Sequence, residues 1–146
     1  MSDTRQLCTF SLGEFLFGID VLKVQEIIRQ QEMTRVPLAP DCVRGLINLR
    51  GQIVTALDLR SRLGLPPRGP GLAPTNVVIN TPDGPVSLLV DDIGDVLEVE
   101  AAGVTRAPET VRGIARHVIT GVYRLRDRLL ILLDADRVVA VPANGD

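Results

Sequence analysis

The chain has 146 residues, the usual size of a single domain, and 45% of them are hydrophobic. Its longest aliphatic run, Leu129 to Leu133, is far short of the ~18 apolar residues of a membrane span. Met1 to Gln6 is polar with no apolar signal core behind it, so the expected location is cytoplasmic. Sixteen basic and eighteen acidic residues give a net charge of -2, which excludes the strongly basic face of a nucleic-acid binder. Two distant cysteines and one histidine supply no metal-ligand set, redox pair or disulfide framework.

In chain order, Leu7 to Leu12 and Phe15 to Ile19 read as strands around Gly13-Glu14, a two-residue hairpin turn with glycine first. Val24-Gln25-Glu26-Ile27-Ile28 sets a carboxylate among aliphatics, as on an edge strand. Gly45 to Leu49 and Gln52 to Leu57 form a second hairpin around Arg50-Gly51, and Asp58 is placed to cap a short helix ending at Gly64. The prolines and glycines of residues 66–74 break any regular element and read as a linker. Asn76 to Asn80 and Val86 to Val90 then flank a turn-rich loop, followed by Asp91-Asp92, which ends a strand and precedes an expected helix. Finally Ile119 to Arg124 pairs with Leu129 to Leu133, and Asp134 caps a C-terminal helix reaching Val141. Short strands separated by frequent turn signals point to small barrels.

The sequence also copies itself. Ala39 to Leu46 recurs as Ala107 to Ile114, Val24-Gln25-Glu26-Ile27 as Val96-Leu97-Glu98-Val99, and Ile53 to Asp58 as Leu129 to Asp134. Three echoes in one order predict a single domain over 1–146 built of two related barrels, roughly 7–65 and 75–141, joined by 66–74. Exchange of strands between the barrels is allowed for.

Catalytic constellations are missing from the pattern. His117 stands in an arginine-flanked loop, and no nucleophile elbow, zinc-protease or phosphate-loop motif occurs. The pairs Asp91-Asp92 and Asp134/Asp136 read as strand ends and helix caps. Phe10, Phe15 and Phe17 fall in one hairpin, where packing is the simpler use. The most unusual stretch is Val43 to Gly51, with Arg44, Gly45, Asn48 and Arg50 around a tight turn. By pattern alone Arg50 is as readily a solvated turn residue, and Glu26 an edge-strand glutamate, as either is a site.

Beyond the pattern, the chain resembles the CheW-type coupling proteins of bacterial chemosensory arrays. The matching motifs are Phe-Gly-Ile-Asp-Val-x-x-Val-Gln-Glu-Ile (17–27), Val-Pro-Leu-Ala-Pro (36–40), Arg-Gly-Leu-Ile-Asn-Leu-Arg-Gly (44–51), Leu-Asp-Leu-Arg (57–60), Leu-Leu-Val-Asp-Asp (88–92) and Leu-Ile-Leu-Leu-Asp (130–134). The resemblance runs from about Leu7 to Ala140. The resemblance implies an all-β protein of two five-stranded SH3-like barrels packed face to face, with short helices. It implies no catalytic activity, cofactor, metal, nucleic acid or membrane insertion. The implied partners are the regulatory domain of a CheA-type histidine kinase and the cytoplasmic hairpin tip of chemoreceptors.

Carried over by position, Glu26 and Arg50 resemble the family's acidic-basic pair at the kinase contact, with Arg44, Gly45 and Asn48 adjoining and Glu109 at a second contact. Glu26 and Arg50 are expected side by side on adjacent strands. Val21, Val24, Ile27, Ile93 and Cys8 are expected in an apolar receptor groove between the barrels. Two positions depart from the family pattern: Thr110 replaces an aromatic at the contact that closes rings, and Thr55 replaces a proline. The alternatives are a detached regulatory module of a chemosensory kinase, or a coupling protein of a pilus, gliding or non-motility pathway. The start at Met1 and the tail Pro142 to Asp146 read as those of a free-standing chain, which favours the adaptor.

Overall fold

The computed structural model describes residues 3–29, 31–108 and 116–140, with Arg116 described through its backbone alone. Glu109, Thr110 and Val141 lie outside these residues. The elements run β1 Thr4–Leu12, β2 Phe15–Asp20, β3 Val24–Ile28, β4 Val43–Leu49, β5 Gln52–Asp58, α1 Leu59–Leu63, β6 Thr75–Ile79, β7 Val86–Val90, β8 Asp92–Glu100, β9 Ile119–Arg124, β10 Leu129–Leu133 and α2 Ala135–Val139. The fold is all-β with two five-stranded sheets and short helices.

Local chemistry sets most boundaries. Gly13 takes φ 60° in the β1–β2 turn, while Arg50 and Gly51 take 54° and 84° in the β4–β5 turn. Two successive positive φ values are what a two-residue hairpin of this twist requires. The Asp58 carboxylate accepts from Arg60 N at 3.2 Å to start α1, and Gly64 at φ 80° ends it in the left-handed conformation. Asp134 does the same for α2 through Arg137 N at 3.1 Å. No helix follows Asp91-Asp92: Asp92 opens the nine-residue β8, which bulges against β1 between Cys8 and Phe10. That irregularity interrupts the period-2 signal and hid the strand.

The sheet orders are β8-β1-β2-β10-β9 and β3-β6-β7-β5-β4. Neither sheet follows one sequence copy. The hairpin β1–β2 completes the sheet formed by β8, β9 and β10, and β6–β7 completes the one formed by β3, β4 and β5. The two copies therefore exchange hairpins within the chain, as the expectation of two barrels over 7–65 and 75–141 allowed, and neither sheet is confined to one of those spans. Both insertions create a parallel pair, β2 with β10 and β5 with β7.

Each sheet curls without closing, and one bridge spans the gap between its edges. Thr34 exchanges backbone hydrogen bonds with Leu46 at 2.9 and 2.8 Å, and Thr105 with Val122 at 2.9 and 2.8 Å. The residue before each bridging partner is a glycine because a threonine carbonyl crosses it. A Cβ would meet Thr34 O at 2.6 Å on Gly45 and Thr105 O at 2.8 Å on Gly121. Gly121 is therefore the structural counterpart of Gly45, although the sequence echo pairs Gly45 with Gly113.

The hairpin strands have apolar side chains on both faces, and each face serves a different core. Phe10, Phe17 and Ile19 from one hairpin meet Val77, Ile79, Leu88 and Val90 from the other, with α1 and α2 sealing this central core. The opposite faces fill two smaller cores, around Leu89, Val78 and Ile47 in one sheet and Leu7, Leu130 and Leu132 in the other.

Candidate functional site

The β4–β5 turn and β3 meet in one charged constellation. Arg50 Nη1 and Nη2 donate to the two Glu26 carboxylate oxygens at 2.5 and 2.7 Å. The planar fork matches a carboxylate in this bidentate way. The guanidinium beside Glu26 holds that carboxyl below its usual value, and Glu26 in turn raises Arg50 above its own. The expected pairing is present, but not on adjacent strands: β3 and β4 are opposite edges of one sheet, and its curl brings them together. The Arg50 side chain remains 71% exposed against 18% for Glu26, so the carboxylate orients the guanidinium and leaves its outer face open.

Neighbouring residues stiffen the turn. Asn48 Oδ1 accepts from Gly51 N at 2.9 Å, which locks the hairpin tip. At the other end of β4, Arg44 donates to Asp58 Oδ2 at 3.0 Å through Nη2 and to the Asp41 carbonyl at 3.2 Å through Nη1. Gly45 is buried, and its structural demand comes from Thr34. Arg44, Gly45, Asn48 and Arg50 thus lie along one edge strand and its turn, with Glu26 reaching across. Sequence reasoning missed Ile53, which pairs opposite Asn48 and is largely exposed. Its signal was the break in alternation at Gln52-Ile53-Val54.

The apolar set is placed unevenly. Ile27 is 43% exposed, and Val21 is half-buried in a 3₁₀ turn capped by Asp20, whose carboxylate accepts from Leu22 N at 2.9 Å. Val24 and Ile93 are half-buried and reach the central core from different sheets. Cys8 is only 3% exposed and belongs to that core, where burial raises its thiol pKa. It offers no surface to a partner. Leu22, which the sequence did not single out, is largely exposed beside Val21.

The arrangement offers one oriented cation and apolar surface from both sheets. Among the described residues no group of three His, Cys, Asp or Glu side chains is gathered to hold a metal ion, and no helix is long and apolar enough to cross a membrane.

The family model of the CheW-like domain matches residues 6–142. The chemotaxis protein CheW of Klebsiella aerogenes is 35% identical over 136 residues, spanning 93% of this chain and 82% of that protein. The chemotaxis protein CheW of Treponema pallidum is 34% identical over 137 residues, spanning 91% and 81%. The crystal structure of the scaffolding protein TtCheW from Thermoanaerobacter tengcongensis is similar with a TM-score of 0.85 at 25% identity, covering all of this chain and 93% of that one.

Proposed function

Because the chain belongs to the CheW-like domain family, whose members are chemotaxis scaffold proteins, we propose that it is a non-enzymatic adaptor that couples chemoreceptors to a CheA-type histidine kinase. The observation that carries this reading is the Glu26–Arg50 pair, in which a carboxylate holds a guanidinium outward from a locked hairpin tip. An oriented, accessible arginine at a rigid edge is suited to a partner protein surface, since no side-chain ordering remains to oppose docking. In this reading Arg44, Gly45 and Asn48 form the rest of the kinase face, and Glu109 belongs to a second kinase contact.

Receptor recognition falls to Val21, Val24, Ile27 and Ile93. An amphipathic helical hairpin lays its apolar stripe into an apolar groove, and these residues supply apolar surface from both sheets. The adaptor works in the cytoplasm at the membrane-bound receptor array. It provides two surfaces and needs no cofactor; the phosphoryl chemistry is the kinase's.

The test is calorimetric titration of the whole chain against the CheA-type kinase of its own organism, expected to give micromolar affinity, about -8 kcal/mol. Glu26→Ala and Arg50→Ala should each weaken binding, and the double variant should be little worse than either alone, since the two side chains act as a unit. Absence of binding by the unmodified chain overturns the reading; strictly additive losses overturn the role of the pair.

A further inference from the structure

Among the described residues two that are not glycine have positive φ, Leu38 at 62° and Arg50 at 54°. They bracket β4, one before its start and one after its end. Arg50 is accounted for by its hairpin turn and by Glu26. Leu38 has no such account. It follows Pro37 in a turn, the position where glycine or asparagine relieves the steric cost of a left-handed backbone. Its side chain is fully exposed, so among the described residues nothing compensates for that cost or covers the apolar surface.

Strained backbone clusters where a molecule contacts its ligands, and Leu38 is joined in the same segment by the exposed Val36. The surroundings define what fits. Leu38 lines a cleft with Met33, Val36, Pro40 and Val43; its charged members are Arg35, Asp41 and Arg44, of which Arg44 is paired with Asp58 and keeps 45% of its side chain exposed. Arg44 is already assigned to the kinase face, so cleft and face are continuous. We propose that Leu38 is an apolar anchor of the kinase-facing surface, inserted into an apolar pocket bordered by carboxylates on the partner; this rests on the adaptor reading above. The left-handed turn at Pro37-Leu38 lifts the side chain clear of its own chain, and Arg35 with the exposed face of the Asp58-paired Arg44 meets the acidic rim.

Anchor and incidental turn residue differ in how stability and binding respond. Leu38→Gly removes the side chain and suits the backbone conformation, so thermal midpoint should hold or rise while affinity for the organism's CheA-type kinase falls at least tenfold. Leu38→Asn tolerates the same backbone and should lose affinity equally; Leu38→Met keeps an apolar side chain and should bind as the unmodified chain does. Affinity for the receptor hairpin should stay unchanged in all three. Kinase binding by Leu38→Gly and Leu38→Asn equal to that of the unmodified chain overturns the anchor alone, as does a loss confined to receptor binding. If the unmodified chain does not bind the kinase, the adaptor reading fails and the anchor with it.

Discussion

Asp20 and Asp91 end equivalent strands, one in each exchanged hairpin, yet the seams they mark are built differently. At the first seam Asp91 accepts from Gly13 N at 2.8 Å, from Arg60 Nε at 2.9 Å and from Arg68 Nε at 2.9 Å. It thereby ties the β1–β2 turn, α1 and the proline-rich linker to the end of β7. Asp58, nearly buried, adds Arg44 and lies 3.6 Å from Arg68. Three guanidinium groups thus share two carboxylates, and Arg68 Nη2 is buried without a hydrogen-bond partner among the described residues. At the second seam Asp20 only caps its own turn. The crossing there relies on a backbone bond from Asn80 N to Lys23 O at 2.8 Å and on a Lys23–Asp136 pair at 3.2 Å, with side chains 42% and 51% exposed. One topology can be sealed by desolvated charge or by backbone and surface contacts. The first is costly when any member is lost, because the remaining charges stay buried and unpaired.

Asp91→Ala should produce the largest loss, about 3–5 kcal/mol as for breaking a buried pair, whereas Asp136→Ala should cost under ~1 kcal/mol. Urea denaturation of both variants measures the contrast; similar losses would show the seams to be energetically alike. The arginines, Arg60 first and with Gly13 N assisting, hold the Asp91 carboxyl down at about 2. A folded-state value depressed in this way contributes stability in full above the unfolded value near 4. That contribution is lost as pH falls from about 4 through 2, amounting to about 2 kcal/mol. Denaturation at pH 5 and at pH 2 should show this acid-dependent component in the unmodified chain and not in Asp91→Asn; an unchanged acid limb would place the titrating group elsewhere. A second contrast concerns the gaps between sheet edges. Gly45→Ala should cost about 2 kcal/mol and Gly121→Ala about 1 kcal/mol, as for overpacking. A Cβ on Gly45 meets the Thr34 carbonyl at 2.6 Å, while on Gly121 it meets the Val104 side chain at 2.7 Å and the Thr105 carbonyl less closely, at 2.8 Å. Melting midpoints read the order, and its reversal would mean that Thr105 yields less than Thr34.

Features governed by neighbours in sequence were legible. The Gly13-Glu14 and Arg50-Gly51 turns, the Asp58 and Asp134 caps and the Gly64 stop follow from backbone rules that act over a few residues. Partnership between strands was not legible, because alternation marks a strand without saying whose sheet it joins. Hence the hairpin exchange stayed open, and Glu26 was expected next to Arg50 for a reason the sheet order does not support. Local similarity also misled: Gly45 echoes Gly113 by its neighbours, while its geometric counterpart is Gly121. Cys8 shows the same limit in the candidate site, since an apolar residue on an apolar strand reads alike whether it faces a groove or the core beneath it. Leu38 gave no signal at all, because a proline-leucine turn does not reveal the sign of φ.

The exchanged hairpins also set an order of events during synthesis. Strands β3 to β7 are contiguous in the chain, so their sheet has all its members once Val90 has been made. The hairpin β1–β2 is made first, yet its parallel neighbour β10 begins at Leu129, some hundred residues and ~5–20 s of translation later. During that interval Phe10, Phe17 and Ile19 have the second hairpin and α1 to cover them but not yet α2, and Leu7 awaits Leu130 and Leu132. The earliest hairpin to leave the ribosome is thus the last to be fully housed, and the contiguous sheet is the surface on which it waits.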